Sequence, residues 1–432
     1  MSKTNAMRIL HVDKFLRRSG GAAVYMLDLA SRQQQAGNSV EFFSMQDANN
    51  LEATYSDLFP PYVSLDPPPS GLKDRLALAQ RMIYSRKAAA GMACVVERFQ
   101  PDVVHLHNIY HQLSPSILRP LANAGIPTVM TVHDFKLVCP TYRMLCHGEL
   151  CDACVGGKVW EATRHRCQSG SLAASAVLSL ESGLHRAFKA YAPIQRFIAP
   201  SKFLADQLRR GGRFPERVRQ LNNYVDASGL TPRLGAGDGF VSIGRLSNEK
   251  GVDTAIRAIG LLRDAKLTVA GDGPERTALQ QLAQEVAPGR VSFLGQLGAQ
   301  QVANLNRSAR AAIAVSRCHE NMPLAVLEAM GAGTPAVVSG LGGLPELVDH
   351  GINGLVVKHN DPTALAAALQ RMVDNPQCSI DMGRAARAKM LAQFDVTQHQ
   401  AQIFDYYGEA ATVLARAHRR ARTHAMLRAT EA

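Results

Sequence analysis

Long apolar runs are missing. No window of the 432-residue chain approaches eighteen uninterrupted apolar positions, and the amino-terminal MSKTNAMRILHV has no apolar h-region before what reads as a first strand. A membrane span and a secretory leader are therefore not expected, and the chain reads as cytoplasmic, at most peripheral to the inner face of a membrane. Cysteine is also scarce: eight in a chain of this length are too few for a disulfide framework. No D-x-D occurs, so a divalent metal on a diphosphate lacks its usual carboxylate ligands. No G-x-G-x-x-G follows the first strand, which argues against a dinucleotide cofactor. Helix-turn-helix and aromatic RNA-binding signatures are absent too, so nucleic acid is not an expected partner. No solenoid period appears, and the one low-complexity stretch is the short run Pro67–Pro69.

What is present is a chain that can fold. Hydrophobic residues make up 46% and charged residues 19%, enough apolar surface to exclude a disordered protein. Lys and Arg (48) exceed Asp and Glu (36) by 12, a balance that by itself suits phosphorylated small molecules, nucleic acid or an anionic membrane face. The length points to two large domains or three small ones.

Short apolar runs alternate with helical spacing in two series. Arg8–Val12, Val40–Ser44, Val103–His107, Thr128–Val132 and Arg196–Ala199 form the first. Phe240–Ile243, Leu267–Ala270, Val291–Leu294, Ala311–Val315, Ala336–Ser339 and Leu355–Lys358 form the second. Such alternation predicts α/β architecture: two doubly wound, Rossmann-like domains with parallel sheets, facing each other across a cleft at their carboxyl strand edges. The spacing predicts a first domain over 1–226, a glycine-rich linker over 227–239, a second domain over 240–392, and helices over 393–432. The tail is rich in Arg and His (Arg416, His418, Arg419, Arg420, Arg422, His424, Arg428). It reads as a solvated helix end, with contact to anionic lipid headgroups as the sharper alternative.

The segment Ser316–Pro345, SRCHENMPLAVLEAMGAGTPAVVSGLGGLP, is the richest in chemistry. Glu320 falls in the loop after a strand and faces the cleft, and Pro323 suits the first turn of the helix that follows. Glu328 sits inside that helix among Leu324, Val326, Leu327 and Met330, where a carboxylate is costly unless something donates to it. Ribose or sugar hydroxyls are suitable donors, while the N–H groups around Asn321, Met322 and Leu324 remain for a phosphate or a sugar hydroxyl. Gly331, Gly333, Gly342 and Gly343 shift the balance away from an ordinary amphipathic helix with solvated glutamates. Upstream, GRLSNEKG places Gly244, where backbone can approach a ligand, with Arg245 and Lys250, and reads as a diphosphate clamp. On the other side, His133-Asp134 ends a strand, and a neutral imidazole there can donate to a sugar hydroxyl or stabilise charge. His107-Asn108 occupies the same position after another strand and would line the acceptor side. Gly20 and Gly21 open the first helix close to ligand.

These residues occur in the order of the retaining glycosyltransferases of family 4. Gly20-Gly21, His133-Asp134, GRLSNEKG, GDGP at Gly271–Pro274, FLG at Phe293–Gly295 and E-x7-E at Glu320–Glu328 carry a resemblance that spans nearly the whole chain. It implies the GT-B fold, with 1–226 as the acceptor-side domain, 240–392 as the nucleotide-sugar-binding domain and the helices over 393–432 packing back toward the first. It also implies transfer of a hexose from a nucleoside-diphosphate sugar to an acceptor hydroxyl, in cell-surface or lipid-linked glycan synthesis. Arg245 and Lys250 would bind the diphosphate, Glu328 the ribose and Glu320 the transferred sugar, with His133 near the reacting carbon. The resemblance further implies retention without a protein nucleophile and no catalytic metal. Asn321-Met322 departs from the Gly-Phe of many relatives. A nucleotide-sugar epimerase on the same fold and a zinc-dependent nucleic-acid-binding protein are the rival readings.

Cys139, Cys151, Cys154 and Cys167 give C-x11-C-x2-C-x12-C, with Cys146, His147 and His165 nearby. One C-x2-C knuckle plus two thiols suffices for a structural zinc site. An iron-sulfur cluster, disulfides or unligated thiols are the alternatives. A bacterial subset of the same transferases resembles this chain in carrying a cysteine-rich insert.

Overall fold

The computed structural model describes residues 6–18, 20–65, 69 and 71–430. Pro67 and Pro68 lie outside the described residues, as do the side chains of Arg420, Arg422, His424 and Arg428 in the basic tail. Strands in chain order are β1 (Arg8–Val12), β2 (Ser39–Phe43), β3 (Val103–Leu106), β4 (Thr128–Thr131), β5 (Leu145–Cys146), β6 (Glu149–Leu150), β7 (Arg196–Ala199), β8 (Val218–Gln220), β9 (Phe240–Ile243), β10 (Leu267–Ala270), β11 (Val291–Gly295), β12 (Ala311–Ala314), β13 (Ala336–Ser339) and β14 (Gly354–Val357). The expected strands are present to within a residue at each end. Their four-to-five-residue length and covering helices account for the near-continuous apolar runs, since β3, β4, β7 and β13 are buried along their full length.

The first sheet has the order β2-β1-β3-β4-β7-β8 and the second β11-β10-β9-β12-β13-β14, every pairing parallel. Each order reverses once, between β1 and β3 in the first sheet and between β9 and β12 in the second. Ligands bind doubly wound sheets at such reversals, beyond the carboxyl ends of the strands. Two elements were not expected from sequence. Val218–Gln220, short and with only Val218 apolar, adds β8 as an edge strand, where only one ladder must be satisfied, and β5 and β6 form a short antiparallel hairpin inside the cysteine-rich insert.

Separate apolar cores fill the two domains. The last helix, Val396–Thr430, returns to the first sheet: Ile403, Tyr406, Tyr407 and Ala410 pack with Ile9, Val40, Val103, Val129 and Ile198. Each fully buried side chain of this size contributes about 1.5–3 kcal/mol, enough to fasten a helix that begins beside the second domain. The domains also touch at the cleft rim. The Glu346 carboxylate accepts from the backbone N–H groups of Lys202 and Phe203, both at 2.8 Å, so a second-domain residue caps a first-domain helix, Lys202–Gly211.

Candidate functional site

The carboxyl ends of β9 and β12 bring together what the sequence separates by about seventy positions. Lys250 ends a single 3-10 turn, Asn248–Lys250, after which Gly251 at φ 67° turns the chain into the helix Val252–Leu261. A side chain at Gly251 would meet the Val315 carbonyl, so the turn is pressed against the end of β12. Lys250 Nζ thereby donates to Glu320 Oε1 at 2.6 Å, and Ser316 Oγ donates to the same oxygen at 2.6 Å. Burial opposes charge on both groups. Their mutual attraction outweighs it, holding the Lys250 ammonium above and the Glu320 carboxyl below their ordinary values.

The Glu320 loop is seated on glycines. Glu320 bridges Gly342, and Gly343 N–H donates to Glu320 O at 2.7 Å. Side chains at Gly342 or Gly343 would collide with the backbone of Glu320 or Asn321, which explains the G-G pair in the motif. GDGP has a like role, because Gly271 packs against the Gly244 carbonyl and Gly273 against that of Leu246.

Arg245 is exposed and its guanidinium has no partner among the described residues, whereas Lys250 is engaged by Glu320. The two cations of the expected clamp thus differ: one is free at the rim, the other tied to the loop that would face the sugar. Gly244 is exposed, with open space beside it. Pro323 lies one residue ahead of the helix Leu324–Gly331 and its carbonyl accepts from Val326 and Leu327, while the N–H groups of Leu324 and Ala325 have no intrahelical acceptor. Met322 is buried in the second domain's core and its carbonyl accepts from Asn223 Nδ2 at 3.0 Å. Glu328 is half-buried in that helix and has no hydrogen-bond or ionic partner among the described residues; burial pushes its carboxyl up to about 7.

Asn321 crosses the cleft. Its Nδ2 donates to the Val132 carbonyl at 3.2 Å and its Oδ1 accepts from Ser201 Oγ at 2.8 Å, so this side chain ties the Glu320 loop to the end of β4. His133 follows immediately, partly exposed, its Nε2 3.0 Å from His107 Nδ1. Burial lowers its pKa to about 3, so the ring is neutral. Gly20, at φ 102°, precedes the helix Gly21–Gln35, and neither Gly20 nor Gly21 has an atom near a would-be side chain. His107 does not line the acceptor side: it is fully buried and bonded to His11 and His133, because its side chain turns into the sheet interior.

In the insert, Cys139, Cys151, Cys154 and Cys167 line one small cavity, while Cys146 and His147 approach the His165 carbonyl. All the cysteines are free thiols, and burial pushes Cys154 and Cys167 up to about 12. Among the described residues no three of the thiols lie within 4.8 Å of one another, a spacing met by His11, His105 and His107 instead. A single ion held by the four thiols would have to draw them together. Lys136, with Nζ 2.8 Å from Glu181 Oε2, pins the start of the insert to the helix Leu172–Ala187.

Residues 19–228 match the family described as Glycosyltransferase Family 4, and residues 237–375 that described as Glycosyl transferases group 1. The chain is 35% identical over 188 residues to glycogen synthase of Mycobacterium tuberculosis, a match covering 41% of this chain and 45% of that protein. It thus spans about half the length of that relative. It is 23% identical over 399 residues to N-acetyl-alpha-D-glucosaminyl L-malate synthase of Bacillus anthracis, covering 89% of this chain and 94% of that one. Among solved structures it resembles sucrose-phosphate synthase from Thermosynechococcus elongatus (TM-score 0.71, 20% identity, 94% and 100% of the two chains). It also resembles Anabaena HepE in complex with UDP-glucose (TM-score 0.64, 19% identity, 92% and 98%). At these identities the structural likeness is one of fold. With a matched family on each side of the cleft and two parallel-sheet domains facing it, the chain is of the family 4 glycosyltransferase type, built on the GT-B fold.

Proposed function

We propose that the chain transfers a hexose from a nucleoside-diphosphate sugar to an acceptor hydroxyl with retention of configuration, the acceptor being a cell-surface or lipid-linked glycan. One observation supports this reading most: the Glu328 carboxylate is half-buried without a partner, on the helix that follows the Glu320–Lys250 pair. A carboxylate left in that state is stabilised by a ligand that brings hydroxyl donors, and paired ribose hydroxyls match its two oxygens.

On this reading Arg245 and Lys250 take the diphosphate. Lys250 then moves from one anion to another, and its positive charge follows the leaving group as charge grows there. Glu320, released from part of that pairing, faces the sugar. Catalysis is positioning plus leaving-group stabilisation by this chain's own cations, with the departing phosphate assisting deprotonation of the acceptor. Metal plays no part in that step. A zinc ion held by Cys139, Cys151, Cys154 and Cys167 would be structural, shaping the acceptor wall. The protein would work in the cytoplasm, at the inner membrane face if its acceptor is lipid-linked.

The test is a panel of nucleotide sugars screened by thermal shift, followed by kinetics with the best donor. Glu328→Ala should raise the donor KM about tenfold for each 1.4 kcal/mol of lost ribose bonding while sparing kcat. Unchanged KM would remove the ribose assignment, and a sugar isomerised with no acceptor present would favour epimerase chemistry.

A further inference from the structure

Beneath the cleft the first sheet has a polar interior. His11, His105, His107 and Thr131 are buried on adjacent strands, with ring centroids of His105 and His107 4.5 Å apart and of His11 and His107 5.4 Å apart. A neutral imidazole carries one N–H and one lone pair, so each hydrogen bond between two such rings has a direction. That direction follows from the partners at the far end.

The Asn222 carbonyl can only accept, so His399 donates to it from Nδ1 at 2.8 Å and holds a lone pair on Nε2. Tyr25 must then give its hydroxyl proton to that nitrogen, at 2.9 Å. Thr131 Oγ1 lies 2.7 Å from His105 Nε2, and His105 Nδ1 lies 2.8 Å from the Tyr407 oxygen. The Tyr407 oxygen accepts from Gln33 Nε2 at 3.0 Å, so its hydroxyl donates to His105 Nδ1 and His105 donates from Nε2 to Thr131. This orients the carboxamide, whose Oε1 faces His11 Nε2 at 2.7 Å and can only accept. His11 Nδ1 is therefore bare and takes a proton from His107 Nε2 at 3.1 Å; His107 Nδ1 is bare and takes one from His133 Nε2 at 3.0 Å. Every ring nitrogen of His11, His105 and His107 is committed, so these rings have no lone pair for an ion despite their close spacing.

His133 is the one side chain of this path that is not fully buried, and its Nδ1 has no partner among the described residues. We propose that the path locks His133 in the Nε2–H tautomer and presents a bare Nδ1 at the cleft, so that His133 accepts a hydrogen bond from a hydroxyl of the transferred sugar. Gln33 and Tyr407 are its positioning residues. The proposal rests on the donor-sugar reading above and narrows it: the sugar must carry a free hydroxyl at His133, and a deoxy or O-methyl analogue at that hydroxyl is disfavoured. The low pKa of the ring agrees with a neutral acceptor and not with an imidazolium. It also replaces the donor role expected from sequence.

The test is 15N NMR of the full chain labelled at histidine, recorded without donor, with His133→Gln identifying the His133 signals. The expected spectrum shows His133 protonated on Nε2 and bare on Nδ1 at neutral pH; a proton on Nδ1 overturns the proposal with no variant needed. Tyr407→Phe removes the group that orients Gln33. It should give mixed tautomers at His133 and lower kcat about tenfold, the equivalent of one neutral hydrogen bond, with the donor KM unchanged. A His133 tautomer indifferent to Tyr407→Phe also overturns it. The predicted tautomer in a protein without transferase activity would uphold the locked ring and count against the transfer reading alone.

Discussion

The two walls of the cleft solve the problem of buried polarity in opposite ways. On the first-domain side, imidazoles, a phenol and a carboxamide satisfy one another through neutral hydrogen bonds, and only His133 reaches the opening. On the second-domain side, charge is concentrated and incompletely matched: Lys250 and Glu320 pair, Arg245 stands free at the rim, and Glu328 is half-buried without a partner among the described residues. A finished network holds a group in place, whereas an unfinished one is completed by ligand. On the proposed function the first wall orients, and the second binds and stabilises charge.

The contrast breaks most sharply at Lys250. Lys250→Ala should lower kcat by about 10²–10³-fold, the range seen when one preorganised charge-stabilising donor is lost, with a smaller change in donor KM. Steady-state kinetics at saturating acceptor measure this, and near-normal turnover would move the leaving-group role away from Lys250.

A second effect comes from Glu328 and pH. Between the ordinary carboxyl value of 4.5 and about 7, the folded protein retains a proton that the unfolded chain has released, so this residue's contribution to stability falls as pH rises through that window. Glu328→Gln should melt higher than the parent at about pH 8 and alike at about pH 4, and donor binding near neutrality should release a proton because ribose favours the ionised form. Melting curves across pH, and calorimetry in two buffers of different ionisation enthalpy, check both.

Smaller still is the tether between the walls. Asn321→Gly removes two hydrogen bonds to the first domain, at Val132 and Ser201, and should weaken donor affinity by about five- to thirtyfold, at about 0.5–1 kcal/mol for each neutral bond lost. Least affected by the chemistry is the insert: Cys154→Ser should abolish any bound zinc and lower the melting temperature while leaving donor KM unchanged, as metal analysis and melting curves would show.

How much was legible follows the same division. The second wall lies largely in one run, Ser316 to Gly343, and in GRLSNEKG. Its strand ends and glycines are spaced by local backbone needs, so a reader of the sequence can place Glu320, Glu328, Arg245 and Lys250 at one cleft. The parallel sheets were equally readable, because buried strands must be apolar and helices must cover them. The first wall was not. Gln33, His105, Thr131, Tyr407 and His399 come from four separate elements, nearly four hundred positions apart at the extremes, and each alone looks like an ordinary core residue. The one signal was the alternation His105-Leu106-His107, which puts two imidazoles on the same face of a strand whose neighbours are apolar. The ion pair between Lys250 and Glu320 was likewise hidden, since the turn that aims Lys250 depends on Gly251 fitting against Val315, a contact between two strands' ends.

The central claim is that the second wall is completed by a nucleotide sugar. A crystal structure of the full chain with a nucleoside-diphosphate sugar tests it directly. The expected result has ribose hydroxyls within hydrogen-bond distance of Glu328 and the diphosphate between Arg245 and Lys250; a donor bound away from this helix, with Glu328 still unpartnered, would contradict it.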